Sequence, residues 1–290
     1  MIYEYALDPA ILKDWGSFRP LADGFGFSRG RIIADYPNKK WLKSAYATID
    51  AIPNQNVKKK FEIWLNERAK AAMSGRRRIS ANHDTTKTWF INALAEHSRG
   101  PFHAVISDQP PRENSAVLDY READESHPLW RVNRQYFVAR TAGEVGPKVG
   151  SLLVHAREIR FVDPYFKADP KDIQMMFGCL ECFKSAENLV DRIELHVAGN
   201  KVPMTMVQYI LRDITGGCPP MLPKMHVVRW KENYLHNRFI LTDRGGISLG
   251  DSIKESDERP DQLTLLEDEP YKKWWDYHDM ERASGHLMTE

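Results

Sequence analysis

The stretch Tyr234-Leu235-His236-Asn237-Arg238-Phe239-Ile240-Leu241-Thr242-Asp243-Arg244-Gly245-Gly246-Ile247-Ser248-Leu249-Gly250-Asp251-Ser252 places a short apolar strand between polar residues at both ends. Phe239 to Thr242 reads as the strand, Asp243 to Gly246 as a turn, and Ile247 to Leu249 as a returning strand. Residues two apart on a strand face the same way, so His236 and Arg238 can address one ligand together. An imidazole can attack phosphorus or protonate a leaving oxygen, and a guanidinium can hold two non-bridging phosphate oxygens. A carboxylate such as Asp243 can orient a histidine ring and favour its charged form. Together these residue types suit a phosphodiester. The plainer reading is that His236 ends a strand, Arg238 pairs with a surface acid and Asp243 opens the turn.

Upstream, Ile159-Arg160-Phe161-Val162-Asp163-Pro164-Tyr165-Phe166 reads as a strand stopped by proline, and Ile193 to Ala198 as a strand ending at Gly199. Met225 to Trp230 and Gln262 to Leu266 add strands. Helices are expected over 173–185, 204–214 and 270–282, and in the second part of 129–157. His196, on an apolar strand, reads as a core or edge histidine. Strands alternating with helices predict a layered α/β domain over 101–290, beginning with the strand Phe102 to Ile106 and a polar loop over 108–128. Residues 1–100 read as a mixed, mostly helical extension of unassigned role. Its helices are expected over 40–52, 57–73 and 88–97, with a short apolar run at Ile32-Ile33-Ala34. Gly24-x-Gly26 is not a phosphate loop, because no Lys-Ser or Lys-Thr pair follows it.

The 290 residues, 42% hydrophobic, suffice for a proper core, and a mean hydropathy of -0.53 with 28% charged residues fits a globular protein. No run approaches the roughly 20 apolar residues of a membrane span. Met1 to Tyr5 lacks the basic start of a secretory signal, and three cysteines give no disulfide framework, so a cytoplasmic protein is expected. Cys179 and Cys182 form a C-x-x-C pair without a second pair to complete a zinc site, which favours a buried helix face. Net charge is only +1, so nothing global announces a nucleic-acid binder. Lys58-Lys59-Lys60 and Arg76-Arg77-Arg78 are basic runs, a pattern more often a solvated face than a binding site.

The opening stretch resembles the H-x-K-x-x-x-x-D motif of the phospholipase D superfamily, with Arg238 in place of lysine. About 0.1 matches to that spacing are expected by chance in a chain of this composition. The resemblance covers residues 101–280 loosely and implies a phospholipase D-like fold. It implies His236 as a nucleophile forming a phosphohistidine, Arg238 as phosphate anchor and Asp243 as orienting carboxylate, with no metal and no cofactor. Asp163, Tyr165, Ser248 and Ser252 are the candidate substrate-binding residues. Two motifs meet at one active site in that family, whereas one clear copy is present here. His155-Ala156-Arg157 followed by Asp163 is spaced one residue too long, so a homodimer pairing two His236 rings is the simpler expectation. Gly250-Asp251-Ser252-Ile253 departs from the family's Gly-Ser-x-Asn. The expected activity is a metal-independent phosphodiesterase acting on DNA or RNA. The rival is an inactive module binding nucleic acid or phosphorylated lipid headgroups, since the similar C-terminal domain of MIT-domain proteins implies binding without hydrolysis. Phospholipase D-like nucleases in bacterial phage defence suggest a third role, as part of a multi-component system.

Overall fold

A computed structural model describes residues 1–37, 40–76, 78, 83–109, 116–184, 190–202, 205, 222–223, 225–231 and 233–287. Its contacts divide into two compact units, Ile2–Asn133 and Arg134–Glu290, the latter including Met1. This division falls later in the chain than the expected boundary at 100. The apolar run expected to open the C-terminal domain instead forms β3 (Ala104–Ser107), whose Ala104, Val105 and Ile106 pair in register with Tyr5, Ala6 and Leu7 of β1 (Tyr3–Leu7).

In the N-terminal unit, β1, β2 (Arg31–Ile33), β3 and β4 (Val117–Asp119) form a parallel sheet in the order β2-β1-β3-β4. The extension read as mostly helical is therefore a set of helices on a sheet. Helices cover both faces, which is why these short strands are almost wholly buried. On one face α1 (Trp15–Asp23), α2 (Trp41–Asp50) and α3 (Gln55–Trp64) bring Phe18, Trp41, Phe61 and Trp64 to Tyr5, Leu7, Ile33 and Ile106. On the other, α4 (Trp89–His97) sets Phe90 and Ala93 against Ala6, Val105 and Val117. Asp14, Asn54 and Thr88 start α1, α3 and α4 by accepting hydrogen bonds from first-turn amides. Arg78 of the basic run is interior: its Nη2 lies 2.5 Å from Glu4 Oε2 and its guanidinium 3.9 Å from the Phe102 ring centre. Lys58 pairs with Asp50 at 2.7 Å, so neither run is a free cationic surface throughout. Arg77 lies outside the described residues.

The C-terminal unit is built on a seven-stranded mixed sheet in the order β5-β11-β10-β9-β6-β7-β8. The strands are β5 (Gln135–Arg140), β6 (Glu158–Val162), β7 (Arg192–Ala198), β8 (Met225–Trp230), β9 (Phe239–Thr242), β10 (Gly246–Leu249) and β11 (Ser256–Leu265). β6, β7 and β8 run parallel, and β9 runs antiparallel to β6 with Val162 opposite Phe239. Helices α5 (Ala142–Leu153) and α6 (Pro170–Leu180) pack on each other at a close approach that glycine permits. A Cβ on Gly146 would lie 2.5 Å from the Gly178 carbonyl oxygen. Helix α7 (Asp268–Tyr277) lays Trp274 on Phe239, ring centres 4.8 Å apart. Cys179 is buried in α6 as expected, and burial pushes its thiol and that of Cys182 up to about 12. The helix expected over 204–214 and Cys218 lie outside the described residues, apart from residue 205. Among the described residues, no helix is long and apolar enough to cross a membrane.

Candidate functional site

The antiparallel register of β6 and β9 decides which of the expected residues meet. Because Val162 faces Phe239, the residue after β6 and the residue before β9, Asp163 and Arg238, share one end of the sheet. Asp163 is fully buried there. Its Oδ1 accepts from the Tyr165 amide at 2.8 Å and its Oδ2 from the Ile253 amide at 2.7 Å, and the Ser252 side chain also hydrogen-bonds to it. Burial raises its pKa above the usual carboxylate range, against the opposing pull of those bonds and of the Arg238 charge. One carboxylate thus joins the Asp-Pro-Tyr turn to the loop after β10.

Tyr165, 44% exposed, stands over this junction. The Arg238 guanidinium carbon is 4.6 Å from its ring centre and the Lys201 ammonium 3.9 Å, so two cations share one aromatic ring. Arg238 Nη1 donates to the Gly250 carbonyl at 3.4 Å, a long bond, while its Nε has no hydrogen-bond partner among the described residues. A guanidinium with donors to spare beside an ammonium can receive an oxyanion. His236 is exposed two residues ahead of Arg238, with no hydrogen-bond or ion-pair partner among the described residues. Lys201 was not among the expected residues. Its signal was a lysine in the turn after Gly199, at the carboxyl end of a strand parallel to β6.

Asp243 does not join this group. It follows β9, so the strand separates it from Arg238 by about 17 Å at ~3.4 Å per residue. Its Oδ1 accepts from the Arg157 and Glu158 amides at 2.8 and 3.3 Å, tying the β9–β10 turn to the start of β6. The role of orienting carboxylate for His236 within one chain is therefore corrected to a structural one. Ser248 pairs with Phe239 and so points to the sheet face that α7 covers, whereas Ser252 is at the Asp163 junction. The second-motif candidate is divided in the same way as Asp243: buried His155 precedes β6 and Asp163 follows it.

His196 is a core histidine. Trp230 Nε1 donates to its Nδ1 at 3.0 Å, which leaves the ring proton on Nε2, 2.8 Å from Glu194 Oε2. Burial lowers the pKa of His196 and takes that of nearby His278 down to about 3. Among the described residues there is no group of three or more His, Cys, Asp or Glu placed to hold a metal ion.

No family model matches the chain, and no curated protein does. A solved structure of TrmBL2, an archaeal chromatin protein reported to show a mode of DNA binding, aligns with a TM-score of 0.30 at 13% identity. The alignment covers 51% of this chain and 52% of that one, so this chain matches about half the length of TrmBL2.

Proposed function

We propose that the C-terminal unit recognises a phosphodiester of DNA or RNA at the sheet end formed by Arg238, Lys201 and His236. The observation that carries this reading is the sharing of the Tyr165 ring by two cations, one with an unused donor. Two positive charges held together repel each other, and an anion between them relieves that repulsion. Tyr165, nearly half exposed, also offers a face on which a base can stack. The phospholipase D-like assignment rests on the His236-x-Arg238 spacing and the strand it precedes, and a cytoplasmic setting on the sequence alone.

A second reading, hydrolysis through a phosphohistidine, is favoured by one observation: His236 is exposed and free of partners among the described residues, hence open to a ring from a second copy. In that reading the two chains of a homodimer supply nucleophile and general acid. The experiment is fluorescence anisotropy of a labelled single-stranded oligonucleotide titrated with the protein over a range of salt concentrations in EDTA, with cleavage followed on gels. Arg238→Ala is expected to weaken binding by about 10- to 150-fold, the loss of one charge-assisted contact of ~1.5–3 kcal/mol. The slope of log K against log salt should fall by about 0.7. Unchanged affinity and slope refute the binding site. Cleavage in EDTA that His236→Ala abolishes supports hydrolysis, and its absence with binding intact leaves recognition alone.

A further inference from the structure

The N-terminal unit carries a second site, independent of the first. Its parallel sheet changes direction at β1: the connection to β2 runs through α1 on one face, while the chain returns to β3 through α4 on the other. Neighbouring strands β1 and β3 therefore send their chains apart at their carboxyl ends, leaving a crevice, the position where open parallel sheets bind ligands. A cavity of about 440 Å³ is found there, lined by Asp8, Lys13, Trp89, Phe90, Asp108 and Gln109 among others. That volume lies within the range of small-molecule pockets, roughly 300–1,000 Å³.

We propose that this crevice binds a mononucleotide. Its floor is a built polar junction: Asp8, 4% exposed, accepts from the Ala10 amide and from the Ser107 hydroxyl, both at 2.9 Å. Each carboxylate oxygen retains acceptor capacity, and Asp108 at the end of β3 adds another carboxylate, so sugar hydroxyls have acceptors facing them. Lys13 supplies the cation for a phosphate. The first turn of α4, from Thr88 to Ile91, lines the same cavity and favours negative charge there. Trp89 and Phe90 provide flat apolar wall for a base. Acceptors for hydroxyls, a cation for an anion and an aromatic wall occur together in the ligand as ribose, phosphate and base.

The test is isothermal titration of the full chain carrying His236→Ala and Arg238→Ala, so that the C-terminal site contributes nothing. The probes are adenosine, guanosine, cytidine and uridine 5′-monophosphates, with free adenosine as the phosphate-less control. Saturable one-to-one binding of at least one mononucleotide is expected. Adding Lys13→Glu, an exposed change that spares the fold, should weaken it about tenfold while leaving the free nucleoside unaffected. Asp108→Asn should weaken both classes of probe. No saturable binding of any mononucleotide up to about 1 mM, or binding indifferent to both substitutions, overturns the proposal.

Discussion

Replacing Asp163 tests whether one buried carboxylate holds the candidate phosphate site together. Asp163→Ala strips the acceptor from the Tyr165 and Ile253 amides and from the Ser252 side chain, and leaves a small void. Each buried donor left unpaired costs about 1–3 kcal/mol, which gives roughly 3–5 kcal/mol within the usual ceiling for one substitution. Asp163→Asn keeps one oxygen but turns an amide N–H₂ toward one backbone N–H, so about 1–3 kcal/mol is expected. In a unit of this size that is a fall of about 6–20 °C for alanine and 2–12 °C for asparagine. Thermal unfolding followed by tryptophan fluorescence reads it in the transition reporting Trp230, Trp274 and Trp275. The sign with pH is also fixed. Because burial raises the folded pKa, the ionisable form contributes most below the unfolded value near 3.9, and this is lost as pH rises through the folded value. Asparagine cannot ionise, so the gap between wild type and Asp163→Asn should narrow as pH rises. Both variants melting with the wild type, or alanine outlasting asparagine, would refute the junction.

His278 is kept neutral by burial, with a pKa of about 3 against roughly 6.5 unfolded, so stability is full above pH 6.5 and falls as pH drops toward 3. The loss should approach about 1.4 kcal/mol per pH unit, and His278→Phe should flatten the acid limb of a urea-midpoint profile; a parallel limb would count against the assignment. Gly146→Ala forces α5 off α6 and should cost about 1–3 kcal/mol by chemical denaturation, against the small gain an exposed helical glycine would give. Arg78→Met, which leaves Glu4 buried without its cation, should destabilise the N-terminal unit by about 3–5 kcal/mol, and a neutral result would show that the pair is dispensable.

The legible part of this fold is the part with unmixed signals. β6, β7, β8 and β9 are runs of apolar residues closed by Pro, Gly or Asp, and the sequence places all four within a residue or two. β5 was unreadable because it is a sheet edge whose burial alternates irregularly, with Phe137 76% exposed. β1 and β4 are short and parallel, with partners far away in the chain, and no local pattern records such pairing. For the same reason Ala104–Ser107 was read as a strand but assigned to the wrong neighbours. At the site, spacing brought out His236 and Arg238, and a strand-terminating turn brought out Asp163 and Tyr165. Lys201 depends on β7 lying beside β6, which only the sheet order reveals.

Asp243, at the far end of β9, makes mutational screens of this protein hard to interpret unless folded yield is measured alongside activity. A variant there would score as inactive next to one at His236, the first through a lower population of intact molecules and the second through a changed encounter with its ligand. Asp243→Asn expressed at low temperature, or stabilised elsewhere in the sheet, should regain function, whereas no such background rescues a missing imidazole. Pattern searches that demand all three letters of His-x-Arg-x-x-x-x-Asp are then selecting partly for a strand of fixed length, with the aspartate fastening its end.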